Sequence, residues 1–71
     1  MENKMQELYN ISKNLKALRL QYGFTQSYVA EKIGIKYSSY HAYEAGIALP
    51  KLKHFIALAK LYDVSLDDLI E

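Results

Sequence analysis

The segment that decides the fold is GFTQSYVAEKIGIKYSSYHAYEAG, which spans residues 23–46. Thr25 stands where a helix N-cap belongs, and the apolar spacing after it predicts a short helix over 26–33. Gly34 ends that helix, and a second helical pattern over 37–45 begins almost at once. Because so short a turn prevents the two helices from lying antiparallel and flat, they must cross at a steep angle.

Helical periodicity also covers the chain on both sides of this segment. A first apolar stripe has the members Leu8, Ile11, Leu15, Leu18 and Tyr22. The start of that helix is open, because either Asn10 caps it or it runs back to about Asn3. A second stripe after Pro50 has the members Leu52, Phe55, Ile56, Ala59 and Tyr62. Ser65 with Asp68 is a capping-box signature for a last short helix through Ile70.

These patterns predict an all-α fold of five short helices, since the two-residue alternation of a strand appears nowhere. The helix-turn-helix unit is 26–45, within a domain over 11–71. Residues 1–10 are either an N-terminal extension or the start of the first helix. Leu61 and Ile70 fall outside the expected core stripes, which makes them candidates for a dimer patch.

Composition excludes several classes of protein. The chain has 71 residues, which predicts one small domain, and it has no cysteine for a disulfide or a thiolate metal site. The sequence contains no apolar run long enough to span a membrane and no secretory signal, so we expect a cytoplasmic protein. No catalytic constellation, metal-ligand spacing or phosphate-binding glycine loop appears. We therefore expect no enzyme activity, no cofactor, no metal and no small-molecule ligand.

The quoted segment resembles the helix-turn-helix of the phage repressor and Cro-type family, also called the XRE family. LPKLKHFIALAKLYDVSLDDLI is similar to that family's fourth and fifth helices, and LKALRLQYG resembles its first. The resemblance covers roughly residues 11–70. It depends on the joint spacing of Thr25-Gln26, Ala30, Gly34, Glu44, Gly46, Pro50 and Val64-Ser65-Leu66-Asp67.

The resemblance implies a lambda-repressor-like domain that binds double-stranded DNA and regulates transcription. A small repressor of the Cro style, which acts as a homodimer on paired half-sites, is the expected form. Its DNA binding would associate it with the nucleoid. The net charge of +1 supports nucleic-acid binding only weakly.

The family places the outward face of the third helix in the major groove. In this sequence that face carries Tyr37, Ser38 and Ala42 at the matching base-contact positions, with His41 beside them. Serine can bond several bases and alanine can touch a thymine methyl, but no arginine, glutamine or asparagine is present for bidentate base readout. Tyr40 and Tyr43 are expected on the opposite face, in the core.

The family also implies contacts to the DNA backbone near two helix N-termini and the loop before the fourth helix. The candidates in this sequence are Gln26, Ser27, Lys36, Arg19, Lys51 and Lys53. Lys36 departs from the family, which usually has a capping serine or threonine there, and so loses a cap worth about 1 kcal/mol. Arg19 and Glu44 correspond to a structural ion pair that joins the first helix to the third. His54 is expected at the surface.

The alternative function is a protein-interaction module of the antitoxin or antirepressor type, built on the same fold and with weak DNA binding. The near-neutral charge and the tyrosine-rich third helix keep this alternative open. Binding to duplex DNA that weakens steeply with salt would distinguish a DNA-binding protein from it.

Overall fold

The computed structural model describes residues 4–71, and this range contains five α-helices and no β-strand. The helices are α1 Lys4–Gln21, α2 Gln26–Ile33, α3 Tyr37–Glu44, α4 Leu52–Tyr62 and α5 Leu66–Ile70. The predicted all-α fold is therefore confirmed. The predicted bounds of α2 and α3 agree with the structure to within one residue, because cap and glycine signals are local.

The first helix is longer than its apolar stripe. Asn10 lies inside α1 rather than capping it, and its Oδ1 accepts a hydrogen bond from Gln6 Nε2 at 3.0 Å. The alternative start near Asn3 lies outside the described residues. Tyr22 follows the last turn, where its hydroxyl donates to the Tyr62 carbonyl at 2.9 Å. This bond fastens the end of α1 to the end of α4.

The five helices enclose one core. α1 packs against α3 and α5, α2 packs against α3 and α4, and α4 packs against α5. The buried apolar residues are Ile11, Leu15, Val29, Ala30, Tyr40, Tyr43, Phe55, Leu58, Ala59, Tyr62 and Leu69. Every described helix contributes to this set, so the orientation of α3 is fixed by all of its neighbours.

The predicted core stripe of α4 was partly wrong. Leu52 is 68% exposed and Ile56 is 37% exposed, whereas Leu58 is fully buried. The buried face consists of positions 55, 58, 59 and 62, which is also a valid helical spacing. Both spacings satisfy the periodicity of a helix, so the sequence alone does not choose between them.

Leu61 and Ile70 were expected outside the core, and this expectation was also wrong. Both side chains are half-buried and pack against the core cluster. The helix in which Ile70 lies is held against α1, because Asn14 Nδ2 donates to the Leu69 carbonyl at 2.9 Å. Their role in a dimer patch stays a prediction.

The turn between α2 and α3 is built from local signals. Thr25 caps α2, since its hydroxyl oxygen accepts a bond from the Tyr28 N–H at 3.0 Å. Gly34 ends the helix at φ 76°, a left-handed conformation that favours glycine. The Ile35 N–H then donates back to the Ala30 carbonyl at 2.9 Å. This bond closes the turn between α2 and α3.

A larger side chain at position 30 would test how closely α2 packs against its neighbours. Ala30 is almost fully buried, on the helix that packs against both α3 and α4. We expect Ala30→Leu to lower the free energy of unfolding by about 1–3 kcal/mol, because the larger side chain overfills the packed core. The matched control is Ala17→Leu, an exposed position of α1, which should stay within about 0.5 kcal/mol of the unmodified chain. Equal unfolding midpoints for the two variants in urea would contradict the close approach at Ala30.

Candidate nucleic-acid interface

The third helix has two chemically different faces. Tyr40, Tyr43 and Glu44 are buried against the rest of the domain. Tyr37 is 51% exposed, and Ser38 and His41 are exposed beside it. The fourth predicted base-contact residue, Ala42, is half-buried. The structure therefore brings three of these four side chains to the open surface at the start of α3.

The rings of Tyr37 and His41 lie against each other on this surface. Their centroids are 6.0 Å apart and their planes differ by 22°, which is a stacked arrangement one helical turn apart. Stacking restricts the rotation of both side chains. The exposed face of α3 is thus an aromatic pair with Ser38 as its neighbour, rather than a row of long flexible side chains.

A bidentate ion pair holds the inward face of α3. Arg19 Nε donates to Glu44 Oε1 and Arg19 Nη2 donates to Glu44 Oε2, each at 2.8 Å. Arg19 Nη1 also donates to the Phe24 carbonyl at 2.9 Å. The two side chains are only 12% and 4% exposed. The predicted bridge is present, and it joins α1, the segment before α2 and the last residue of α3.

Electrostatics keep this pair ionised. Burial by itself would raise the pKa of Glu44, but interactions with the side chains of Arg19, Tyr40 and Gln26, together with the charge of Arg19, lower it below its ordinary value. The hydrogen bond to Glu44 raises the pKa of Arg19 despite its burial. Burial and the nearby Glu44 carboxylate raise the pKa of Tyr40, so its phenol stays neutral.

Gln26 connects the ion pair to the exposed face of α3. Its Nε2 donates to Glu44 Oε2 at 3.1 Å, and its Oε1 accepts from the Tyr37 hydroxyl at 2.9 Å. Sequence reasoning assigned Gln26 to a phosphate and missed both bonds. The partners of the bond to Tyr37 are 11 positions apart in the sequence, and those of the bond to Glu44 are 18 positions apart. No local pattern signals them, because they depend on how α2 and α3 cross.

An open depression lies beside the N-terminus of α2. It is lined by Arg19, Phe24, Thr25, Gln26, Ser27 and Tyr37. Three of the six predicted phosphate-contact residues, Arg19, Gln26 and Ser27, are therefore together at one site. Free backbone N–H groups at a helix N-terminus attract anions, so this depression has the chemistry of a phosphate contact.

The three predicted lysines are exposed at the starts of two other helices. Lys36 is the N-cap residue of α3 and Lys51 that of α4, and neither side chain caps its helix in the described part of the chain. Lys53 lies in the first turn of α4. A positive charge at a helix N-terminus is repelled by the helix dipole. A bound anion would offset this unfavourable interaction, which is present in the free protein.

The tyrosines of α3 differ in how their hydroxyls are satisfied. A hydrogen bond of 2.8 Å joins the Tyr43 hydroxyl to His54 Nδ1. The expectation that His54 is a simple surface residue was therefore wrong, because it is half-buried and holds α4 to α3. The hydroxyls of Tyr40 and Tyr62 are buried without a hydrogen-bond partner among the residues that the structure describes. Burial also raises the pKa of Tyr62 to about 12.

Within residues 4–71, no group of three or more histidine, cysteine, aspartate or glutamate side chains is arranged to hold a metal ion. None of the described helices has both the length and the apolar character needed to cross a membrane.

The chain matches a known protein family and is similar in sequence to several transcriptional regulators. The helix-turn-helix family HTH_3 matches residues 15–69. The chain is 49% identical over 53 residues to YobD, an HTH-type transcriptional regulator of Bacillus subtilis, a match that covers 75% of this chain and 47% of YobD. It is 38% identical over 45 residues to RstR, a cryptic phage CTXphi transcriptional repressor of Vibrio cholerae, which covers 63% of this chain and 40% of RstR. The chain thus spans about half the length of the curated relatives it matches.

Two solved structures share the fold. A structure of the SOS-response transcriptional repressor LexA from Eubacterium rectale has a TM-score of 0.86 at 28% identity and covers 100% of this chain and 73% of that one. The restriction-modification controller protein C.AhdI from Aeromonas hydrophila has a TM-score of 0.80 at 26% identity and covers 87% of this chain and 94% of that one.

The ion pair predicts a specific loss of stability in acid. The pKa of Glu44 is lower in the folded chain than its ordinary value of 4.5, so an unfolded chain takes up this proton first. The stabilisation is present above about pH 4.5 and is lost as the pH falls through the folded pKa. We expect urea unfolding midpoints to fall more steeply as the pH drops below about 4.5 than in an Arg19→Met/Glu44→Met variant, which keeps all other carboxylates. Parallel pH profiles for the two proteins would refute this role.

Proposed function

Since the chain belongs to the XRE-type helix-turn-helix family, we propose that it is a sequence-specific DNA-binding regulator of transcription. The single observation that carries the proposal is the arrangement of α3. Its start exposes Tyr37, Ser38 and His41, while Glu44 at its end is locked to Arg19. A short helix that is rigidly held and open along its N-terminal half is what major-groove reading requires.

In this proposal α3 enters the major groove, and four side chains contact base edges. They are Tyr37, Ser38, His41 and Ala42. Ser38 bonds a base directly, and the half-buried Ala42 is small enough to approach a thymine methyl. The face lacks a guanidinium or a carboxamide of its own, so part of the sequence preference comes from DNA shape.

The DNA backbone is held on both sides of that helix. Gln26 and Ser27 offer the backbone N–H groups of the α2 N-terminus, and Lys36, Lys51 and Lys53 offer charge. Arg19 makes three hydrogen bonds within the protein, which leaves two of its five N–H groups for a phosphate in the depression that Arg19 helps to line. Its phosphate contact is thus secondary to its structural role.

Repression is the proposed regulatory outcome, and two copies of the chain on paired half-sites are the proposed binding form. A relative named as a transcriptional repressor supports the first point. The second is supported by the general geometry of helix-turn-helix dimers, in which a twofold pair of recognition helices reads half-sites one helical turn apart. The protein would act in the cytoplasm on the nucleoid, without catalysis, a cofactor or a small-molecule ligand.

Salt dependence tests DNA binding itself. We expect affinity for duplex DNA, measured by fluorescence anisotropy, to fall linearly with salt on logarithmic axes, because bound cations are released from phosphates. Lys51→Gln and Lys53→Gln should each reduce the slope by about 1, whereas Lys60→Gln in the last turn of α4 should leave it unchanged. Failure to bind any duplex at low salt would overturn the proposal in favour of a protein-interaction module.

The double variant Tyr37→Ala with Ser38→Ala tests the reading face. Both side chains are exposed, so we expect the fold to persist with an unfolding midpoint close to that of the unmodified chain. Discrimination between a selected operator and random duplex DNA should be lost, while the salt slope is kept. Unchanged discrimination, measured by competition binding with the correctly folded variant, would contradict the assignment of this face.

A further inference from the structure

The charge of Glu44 sets the direction of the hydrogen bonds that run from the ion pair through Gln26 to Tyr37. An ionised carboxylate accepts hydrogen bonds and donates none. Glu44 is paired with Arg19 and has a lowered pKa, so it is ionised at neutral pH. The side-chain group of Gln26 that faces Glu44 Oε2 at 3.1 Å must therefore be the amide nitrogen.

The position of the amide nitrogen also determines where the amide oxygen of Gln26 lies. With its nitrogen on Glu44, its oxygen Oε1 faces the Tyr37 hydroxyl at 2.9 Å. A carboxamide oxygen only accepts hydrogen bonds, so the hydroxyl of Tyr37 has to donate its single proton to Gln26. The reverse orientation would place the amide oxygen against the carboxylate, where two acceptors repel each other.

Tyr37 consequently faces solvent with a phenolic oxygen whose proton is already in use. What remains on that oxygen is lone-pair capacity to accept a hydrogen bond. The side chain is 51% exposed, and its ring is stacked on His41 with centroids 6.0 Å apart. Held at the ring and at the hydroxyl, Tyr37 presents a fixed acceptor at the start of the exposed face of α3.

We propose that Tyr37 is a specificity-determining residue that reads one base pair as a hydrogen-bond acceptor, and that Gln26 is the positioning residue that imposes this direction. The inference rests on the proposed function. In the major groove the exocyclic amines are N6 of adenine and N4 of cytosine, whereas guanine O6 and thymine O4 are acceptors. Tyr37 therefore selects adenine or cytosine at the base it contacts and disfavours guanine or thymine.

The first step of the test identifies that base. Duplexes are selected from a random library with the full chain and with Tyr37→Phe, which keeps the ring and removes the hydroxyl. One position should show an adenine or cytosine preference that Tyr37→Phe loses. The matched control is Tyr28→Phe, which also removes a hydroxyl from a partly exposed tyrosine. The ring of Tyr28 packs on Phe24, outside the polar relay formed by the hydrogen bonds from Glu44 through Gln26 to Tyr37. This control should keep every preference.

The second step removes only the amine. At that position adenine is replaced by purine, or cytosine by 2-pyrimidinone, with the rest of the duplex unchanged. We expect the unmodified chain to lose about three- to tenfold in affinity, as for one lost hydrogen bond. Tyr37→Phe should lose less than about twofold, because it makes no such bond.

The third step tests Gln26 as the cause of the direction. In Gln26→Leu the Tyr37 hydroxyl is free to donate, so it can also bond guanine O6 or thymine O4. We expect its discrimination between amine and carbonyl bases at this position to fall below about twofold. A ratio of affinities is measured, so a uniform loss of binding from a missing phosphate contact does not imitate this result. A thermal unfolding curve checks that the variant is folded.

Three results would overturn the inference while leaving DNA binding intact. They are a guanine or thymine preference at the Tyr37-dependent position, no cost on removing the amine, and full discrimination in folded Gln26→Leu. If no duplex is bound in a salt-sensitive way, the proposed function fails and this inference falls with it. The anisotropy titration on random duplex DNA therefore separates the two failures.

Discussion

The buried ion pair between Arg19 and Glu44 is the interaction on which the arrangement of this domain depends. The Arg19 and Glu44 side chains are only 12% and 4% exposed, so each charge depends on the other and on nearby hydrogen-bond partners. Arg19 finds them on α3 and at Phe24, and Glu44 finds them on α1 and at Gln26. These bonds can be made together only when α1, α2 and α3 meet at one angle. The orientation of the exposed face of α3 follows from that angle.

The same pair also influences chemistry at the surface. Charge on Glu44 determines which way the Gln26 amide points, and the amide determines which atom of Tyr37 is left for a partner. A side chain with no amide or guanidinium of its own thus acquires a defined hydrogen-bonding direction. The tyrosine-rich third helix is therefore compatible with base recognition, although its composition favoured a protein-binding surface equally well.

Tyrosine has three different roles along α3. Tyr43 bonds to His54 and ties α3 to α4, while Tyr37 lies at the open end of the polar relay. Tyr40 fills the core beside Tyr62, and both hydroxyls are buried without a partner in the described part of the chain. Their large rings fill the space between the short helices, and the Glu44 carboxylate lies close enough to Tyr40 to raise the pKa of its phenol.

The sequence by itself determined the helices, the turn and the two faces of α3, because caps, left-handed glycines and apolar spacing act over a few residues. It also predicted the Arg19–Glu44 pair through a family resemblance. Tertiary structure alone decided which face of α4 is buried, since two stripes fit the same helical period and only contact with α2 and α5 selects Leu58 over Ile56. It likewise decided the partners of His54, Gln26 and Tyr37. Those bonds join residues that are distant in sequence and form only once the helices have crossed.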